Sequence, residues 1–115
     1  MMWRTLAEEL AAILALPPGW DSYGAPAIDA NAITQASKVL QSVTEPNTPA
    51  PYVLPTPRGG VQFEWHTKEI DLEIEVSPGN EVYFLLNDIK GEKEYEGELA
   101  SHQGLVRDAI SRLSA

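Results

Sequence analysis

The chain contains no cysteine. Disulfides, thiolate zinc sites and cysteine nucleophiles are therefore excluded. Histidine is nearly as scarce, and two such residues, His66 and His102, are too few for a histidine-rich metal site. Basic side chains are heavily outnumbered. Lys and Arg total 8 against 17 Asp and Glu, which gives a formal net charge of -9 and a pI near 4.5. A surface of that sign repels phosphates, which argues against nucleic acid as a partner. It disfavours anionic membrane surfaces for the same reason. Long apolar runs are missing too. The stretch Leu10–Leu16 is too short to span a bilayer. Glu8 and Glu9 precede it and Pro17-Pro18-Gly19 follows it, so it lacks the flanks of a signal peptide. It reads as an amphipathic helix of a cytoplasmic protein.

What is present fits one folded domain spanning residues 1–115. The length matches a single core, and 43% hydrophobic with 22% charged residues argues against disorder. Trp3, Leu6, Leu10, Ile13 and Leu14 recur at helical spacing. Pro17 and Pro18 end that helix, because proline pushes the residue before it out of the α region. A second helix is predicted from about Ala30 to Val43, with Ile33, Ala36, Leu40 and Val43 as its buried stripe. Asp29 is its expected N-cap through the side-chain carboxylate, and Ile28 and Ile33 form a hydrophobic staple. The proline-rich segment 44–51 should be extended and fairly stiff.

After residue 51 the period changes from helical to two. A short strand is expected over Tyr52–Thr56, with Pro55 suited to a sheet edge. Val61, Phe63 and Trp65 alternate with Gln62, Glu64 and His66. Ile70, Leu72, Ile74 and Val76 alternate with Asp71, Glu73 and Glu75. Val82, Phe84 and Leu86 alternate with Tyr83 and Leu85. This is the pattern of an antiparallel meander with one apolar face. Pairing Trp65 with Ile70 sets Phe63 against Leu72 and Glu64 against Asp71. A three-residue loop, Pro78-Gly79-Asn80, sets Val76 against Val82, with Asn80 left-handed. Residues 89–98 form either a polar edge strand around Tyr95 or a loop. A last helix runs from about Ala100 to Leu113, with Ser101 as its cap and Leu105, Ala109, Ile110 and Leu113 buried. The expected fold class is α+β: two N-terminal helices, an antiparallel β-meander of four or five strands, and a C-terminal helix.

Two regions are candidates for function. The outward sheet face carries Glu64, Glu73 and Glu75, with Leu85 and Tyr83 as an apolar spot among them. Opposed carboxylates are destabilising, so a cation, a basic partner or only solvent should offset them. Apolar residues rimmed by charge are also common at partner surfaces. A metal site on Glu64, Asp71 and Glu73 is the less favoured reading. The second region is the loop Gly19–Pro26. Trp20 and Tyr23 either plug the end of the core, with Asp21 closing an Asx turn, or form an aromatic recognition loop. Neither histidine stands near a recognisable nucleophile elbow, and Gly59-Gly60 reads as a hairpin turn, not a phosphate loop.

Two motifs carry a resemblance. They are Gly19-Trp20-Asp21-Ser22-Tyr23-Gly24-Ala25-Pro26 and Gly59-Gly60-Val61-Gln62-Phe63-Glu64-Trp65. The chain resembles a group of small bacterial proteins of unassigned activity that share them, although those proteins more often have an acidic residue where Arg58 stands. The resemblance implies a bacterial origin and carries over no catalytic residue. The residues themselves favour a non-enzymatic interaction module, antitoxin- or immunity-like, that binds a basic protein and needs no cofactor. The alternatives are a homo-oligomeric structural protein and, less favoured, a metal-dependent hydrolase.

Overall fold

In the computed structural model, residues 4–115 are described. The chain is α+β and has three α-helices and one five-stranded antiparallel sheet. The elements run α1 (Arg4–Leu14), α2 (Ala30–Val43), β1 (Tyr52–Pro55), β2 (Val61–Thr67), β3 (Ile70–Val76), β4 (Val82–Asp88) and β5 (Lys93–Glu98). A short 3-10 turn over Leu99–Ser101 then leads into α3 (Gln103–Ser114). The strands lie in chain order, β1-β2-β3-β4-β5. Residues 89–98 therefore resolve as a turn and a charged edge strand.

Strict alternation places Val61, Phe63, Trp65, Ile70, Leu72, Ile74, Val76, Phe84 and Leu86 in the core. Helix residues close the same layer: Leu6, Leu10 and Ile13 from α1, Ala36, Val39, Leu40 and Val43 from α2, and Val106, Ala109, Ile110 and Leu113 from α3. Several expectations shift in detail. Leu14 is 43% exposed rather than buried. Trp3 lies outside the described residues. Ile33 and Leu105 are only partly buried, whereas Ala32 and Val39 of α2 and Val106 of α3 are buried. Asp29 occupies the N-cap of α2 without a side-chain bond. Its backbone N–H instead donates to Gly59 O at 2.9 Å, which ties the helix start to the β1–β2 turn. Likewise α3 starts at Gln103 with His102 at its N-cap, because Ser101 is spent in the 3-10 turn.

The β2–β3 register differs from expectation by two residues. Thr67 pairs with Ile70, Trp65 with Leu72, Phe63 with Ile74 and Val61 with Val76. The turn is only Lys68-Glu69, both left-handed at φ 54° and 59°. That is the type I′ geometry favoured in tight hairpins. A shift of two leaves every side chain on its expected face. The β3–β4 hairpin has the expected register, Val76 against Val82 and Ile74 against Phe84, with Asn80 at φ 68°.

Connections are stitched by side chains. Trp65 Nε1 donates to Pro49 O at 2.8 Å, and the Thr48 and Ser114 hydroxyls meet at 2.7 Å, so the proline-rich segment is fastened to both β2 and α3. Arg112 holds Asp88 through both terminal guanidinium nitrogens, at 3.0 and 3.2 Å. That pair keeps the Asp88 carboxyl below the usual carboxylate range. Gly60 has no room for a side chain, since a Cβ there would stand 2.2 Å from Val76 O. Leu72 is fully buried at the centre of the sheet. Leu72→Ala should lower stability by about 2–5 kcal/mol. Urea unfolding checks this, and an unchanged midpoint contradicts the packing described.

Candidate functional site

All three helices lie on one side of the sheet, so its other face is open. The strand pairings set out that face as three rows. Leu54, Gln62, Glu75, Tyr83 and Glu98 form the first row. Tyr52, Glu64, Glu73, Leu85 and Glu96 form the second. His66, Asp71, Asn87 and Glu94 form the third. The face is acidic and also carries apolar groups. Tyr52 is 69% exposed, and Leu54, Leu85 and Tyr83 are exposed as well.

The structure brings together the sequence-predicted residues Glu64, Glu73, Glu75, Tyr83 and Leu85. It changes which of them oppose one another. Glu64 faces Glu73, not Asp71, and Gln62 faces Glu75, not Glu73. The chain also supplies its own compensation for the close carboxylates. Gln62 Nε2 donates to Glu64 Oε2 at 2.6 Å and to Glu73 Oε1 at 3.1 Å. His66 bridges Glu64 Oε1 and Asp71 Oδ1, each at 2.8 Å. Arg58 forms an ion pair with Glu75 Oε1. His66 is therefore a member of the acidic network rather than an isolated histidine. Among the described residues, no group of three or more His, Asp and Glu side chains is arranged to hold a metal ion.

The electrostatics follow from this geometry. Hydrogen bonding to Glu64, then to Asp71, raises the His66 pKa above its ordinary 6.5. Partial burial, reinforced by the Glu64 charge, raises the Glu73 carboxyl. Tyr83 is also raised, chiefly by its hydrogen bond to Glu81 at 2.6 Å.

The second candidate region divides. Trp20 packs against the core and its Nε1 donates to Pro26 O at 3.1 Å. Asp21 Oδ1 accepts from the N–H groups of Tyr23 and Ala25 at 2.9 and 3.0 Å, the expected Asx closure. Those bonds lower the Asp21 carboxyl, Ala25 contributing most. The plug reading thus holds for Trp20. It does not hold for Tyr23, which is 92% exposed. Pro26 and Ala27 lie against Gly59, so this loop borders the end of the sheet rather than its open face.

Sequence reasoning missed Tyr52, Leu54, Arg58, Glu96 and Glu98 as parts of the face. For all of these but Arg58, which lies in the β1–β2 turn, the signal was available in the alternation within β1 and β5, once those strands are paired to their neighbours. Comparison with known protein families, curated proteins and solved structures gives no match for this chain. No described helix is long and apolar enough to cross a membrane.

The His66 bridge has a definite pH dependence. A pKa raised in the folded state means that the bridge contributes stability fully below about 6.5, the unfolded value. That contribution is lost as pH rises through the folded value. An NMR titration of the His66 ring should give a midpoint above 6.5. Glu64→Gln should lower that midpoint, whereas a midpoint at or below the ordinary value contradicts the bridge.

Proposed function

We propose that this protein is a small, acidic, non-enzymatic interaction module that binds a basic protein through the open face of its sheet. In this reading it acts as an antitoxin- or immunity-like factor in the cytoplasm of a bacterium, the origin its motif resemblance implies. The observation that carries the reading is the one-sided sheet. Its uncovered face sets the exposed Tyr52, Leu54, Tyr83 and Leu85 among carboxylates from β2, β3 and β5. Apolar groups inside a charged rim suit a surface that desolvates at its centre and stays polar at its edge. The acidic field steers a basic protein into contact and raises its association rate.

A second reading is favoured by Tyr52 and Leu54, which leave the β1 edge of the face apolar. In that reading the face pairs with a second copy. The two readings respond oppositely to salt. Salt screens attraction to a basic partner over a Debye length of about 10 Å at 0.1 M. It relieves repulsion between two acidic faces and strengthens a dimer.

The test is capture of host proteins by the parent chain and by the double variant Glu73→Lys, Glu75→Lys, followed by association kinetics with the captured protein. A basic protein should bind the parent and not the variant. Raising salt should slow its association far more than it speeds dissociation. Capture that is equal for both chains overturns the reading. A parent that dimerises more strongly in salt, as read by sedimentation, replaces it with the second.

A further inference from the structure

The two edge strands of the sheet present different backbones. In an antiparallel ladder, only every second residue turns its N–H and C=O toward a given neighbour. Ser77 N–H donates to Glu81 O at 2.8 Å and Ile89 N–H to Glu69 O at 3.0 Å, which fixes that alternation for β3 and β4. Carried across the pairings, it bonds Phe84 to Gly97, Leu86 to Tyr95 and Asp88 to Lys93. The backbones of Glu94, Glu96 and Glu98 therefore point out of the sheet. His102 Nδ1 donates to Glu98 O at 2.9 Å and closes that end of the edge. At β1, Thr56 N–H donates to Gly60 O at 3.0 Å, so Tyr52 and Leu54 bond to β2 and residues 51, 53 and 55 point outward. Pro51 and Pro55 have no N–H to offer there. Proline is a common way to blunt an edge that would otherwise template another strand. The six residues of β5 include no proline.

We propose that the outer edge of β5 receives an extended segment of the basic partner as a sixth strand, with Lys or Arg at alternate positions set against Glu94, Glu96 and Glu98. The inference rests on the docking reading above and specifies how the partner is held. Strand addition draws its affinity from main-chain hydrogen bonds and its specificity from alternate side chains. Here the outward N–H groups of Glu94, Glu96 and Glu98 supply the donors. The side chains of the same residues are exposed on the open face, so they select the charge of the incoming strand. A second copy of this chain is the wrong occupant. Antiparallel pairing of two β5 edges with their open faces aligned sets glutamate against glutamate, and like charges directly opposite are destabilising. A strand with Lys or Arg at those positions turns each repulsion into an attraction. It also continues the rows of the open face beyond Glu96 and Glu98, so a partner seated on that face reaches the edge without leaving it.

The test is an NMR titration of the isotope-labelled chain with two capped peptides in which lysine alternates with threonine. One has an ordinary backbone. The other is N-methylated along its backbone, which keeps the charge and removes the donors. The ordinary peptide should bind saturably and slow hydrogen exchange at the Glu94 and Glu96 amides. The amides of Tyr95 and Gly97, which already face β4, serve as the internal control. The N-methylated peptide should bind at least tenfold more weakly and give no protection. Glu96→Pro removes one outward donor and breaks no bond to β4, and it should weaken the ordinary peptide by about tenfold or more. Its charge-matched control, Glu96→Gln, should weaken it only a few-fold. The spectra of both variants report whether the fold persists, and the comparison of peptides needs no variant. Equal binding of the two peptides, unchanged exchange at Glu94 and Glu96 at saturation, or failure of both peptides to bind overturns the edge inference. The docking reading is decided separately, by capture with Glu73→Lys, Glu75→Lys, whose changes lie on β3 and leave the β5 edge intact. Capture lost in that variant, with no protection at β5, keeps the docking reading and removes the added strand.

Discussion

Everything in this fold depends on covering a five-stranded sheet from one side only. Apart from Thr67 at the end of β2, the inner positions of β2 and β3 are aliphatic or aromatic and buried. Three short helices and the proline-rich segment close over them. Burying apolar side chains yields about 25 cal/mol per Å² removed from water, the dominant favourable term in folding. With that stabilisation drawn from one face, the other face contributes little to the core. Its side chains are consequently free to carry charge at a density that a two-sided sheet does not tolerate.

The legibility of the sequence followed the same division. Period-two alternation gave the faces of β2, β3 and β4, because burial on one side enforces it. The β3–β4 turn was readable from Pro78-Gly79-Asn80, where residues that accept positive φ mark the loop. The β2–β3 turn was not. Type I′ turns are recognised by Asn-Gly or Asp-Gly, whereas here Lys68 and Glu69 take both left-handed positions. Side chains there cost roughly 1–2 kcal/mol each, a cost that the flanking apolar pairs offset. The register error that resulted was a slip of two, which preserved the faces and changed the partners. Glu64 was thus placed on the correct side and opposite the wrong residue. Edge strands were harder still, because β1 is four residues long and β5 is almost wholly charged.

Corrected pairing also changes the electrostatic argument. Close carboxylates invite an external counter-charge, but Gln62, His66 and Arg58 already lace Glu64, Glu73, Asp71 and Glu75 together. The compensation is uneven. Gln62 is neutral and offers donors without cancelling charge. His66 is charged only when protonated, so its share depends on pH. Arg58 is the one permanent cation in the network, and it reaches a single oxygen of Glu75. The network therefore holds its carboxylates in fixed positions while leaving the face negative.

Fixed position matters more for recognition than charge alone. An isolated surface carboxylate forms ion pairs worth little, because solvent screens them and both side chains lose freedom. Carboxylates already ordered on a rigid strand have lost that freedom before a partner arrives, so less is lost on binding. In the proposed docking, the exposed apolar pair Tyr83 and Leu85 would meet the second requirement, a centre from which water is expelled while charged neighbours form the rim. Both features arise from one strand register: β4 places its apolar residues between Glu73 and Glu75 on one side and Glu96 and Glu98 on the other. A slip of one residue at β3–β4 would send Leu85 into the core and Phe84 onto the acidic face. The hydrophobic effect that excludes that slip therefore also holds the acidic face in place.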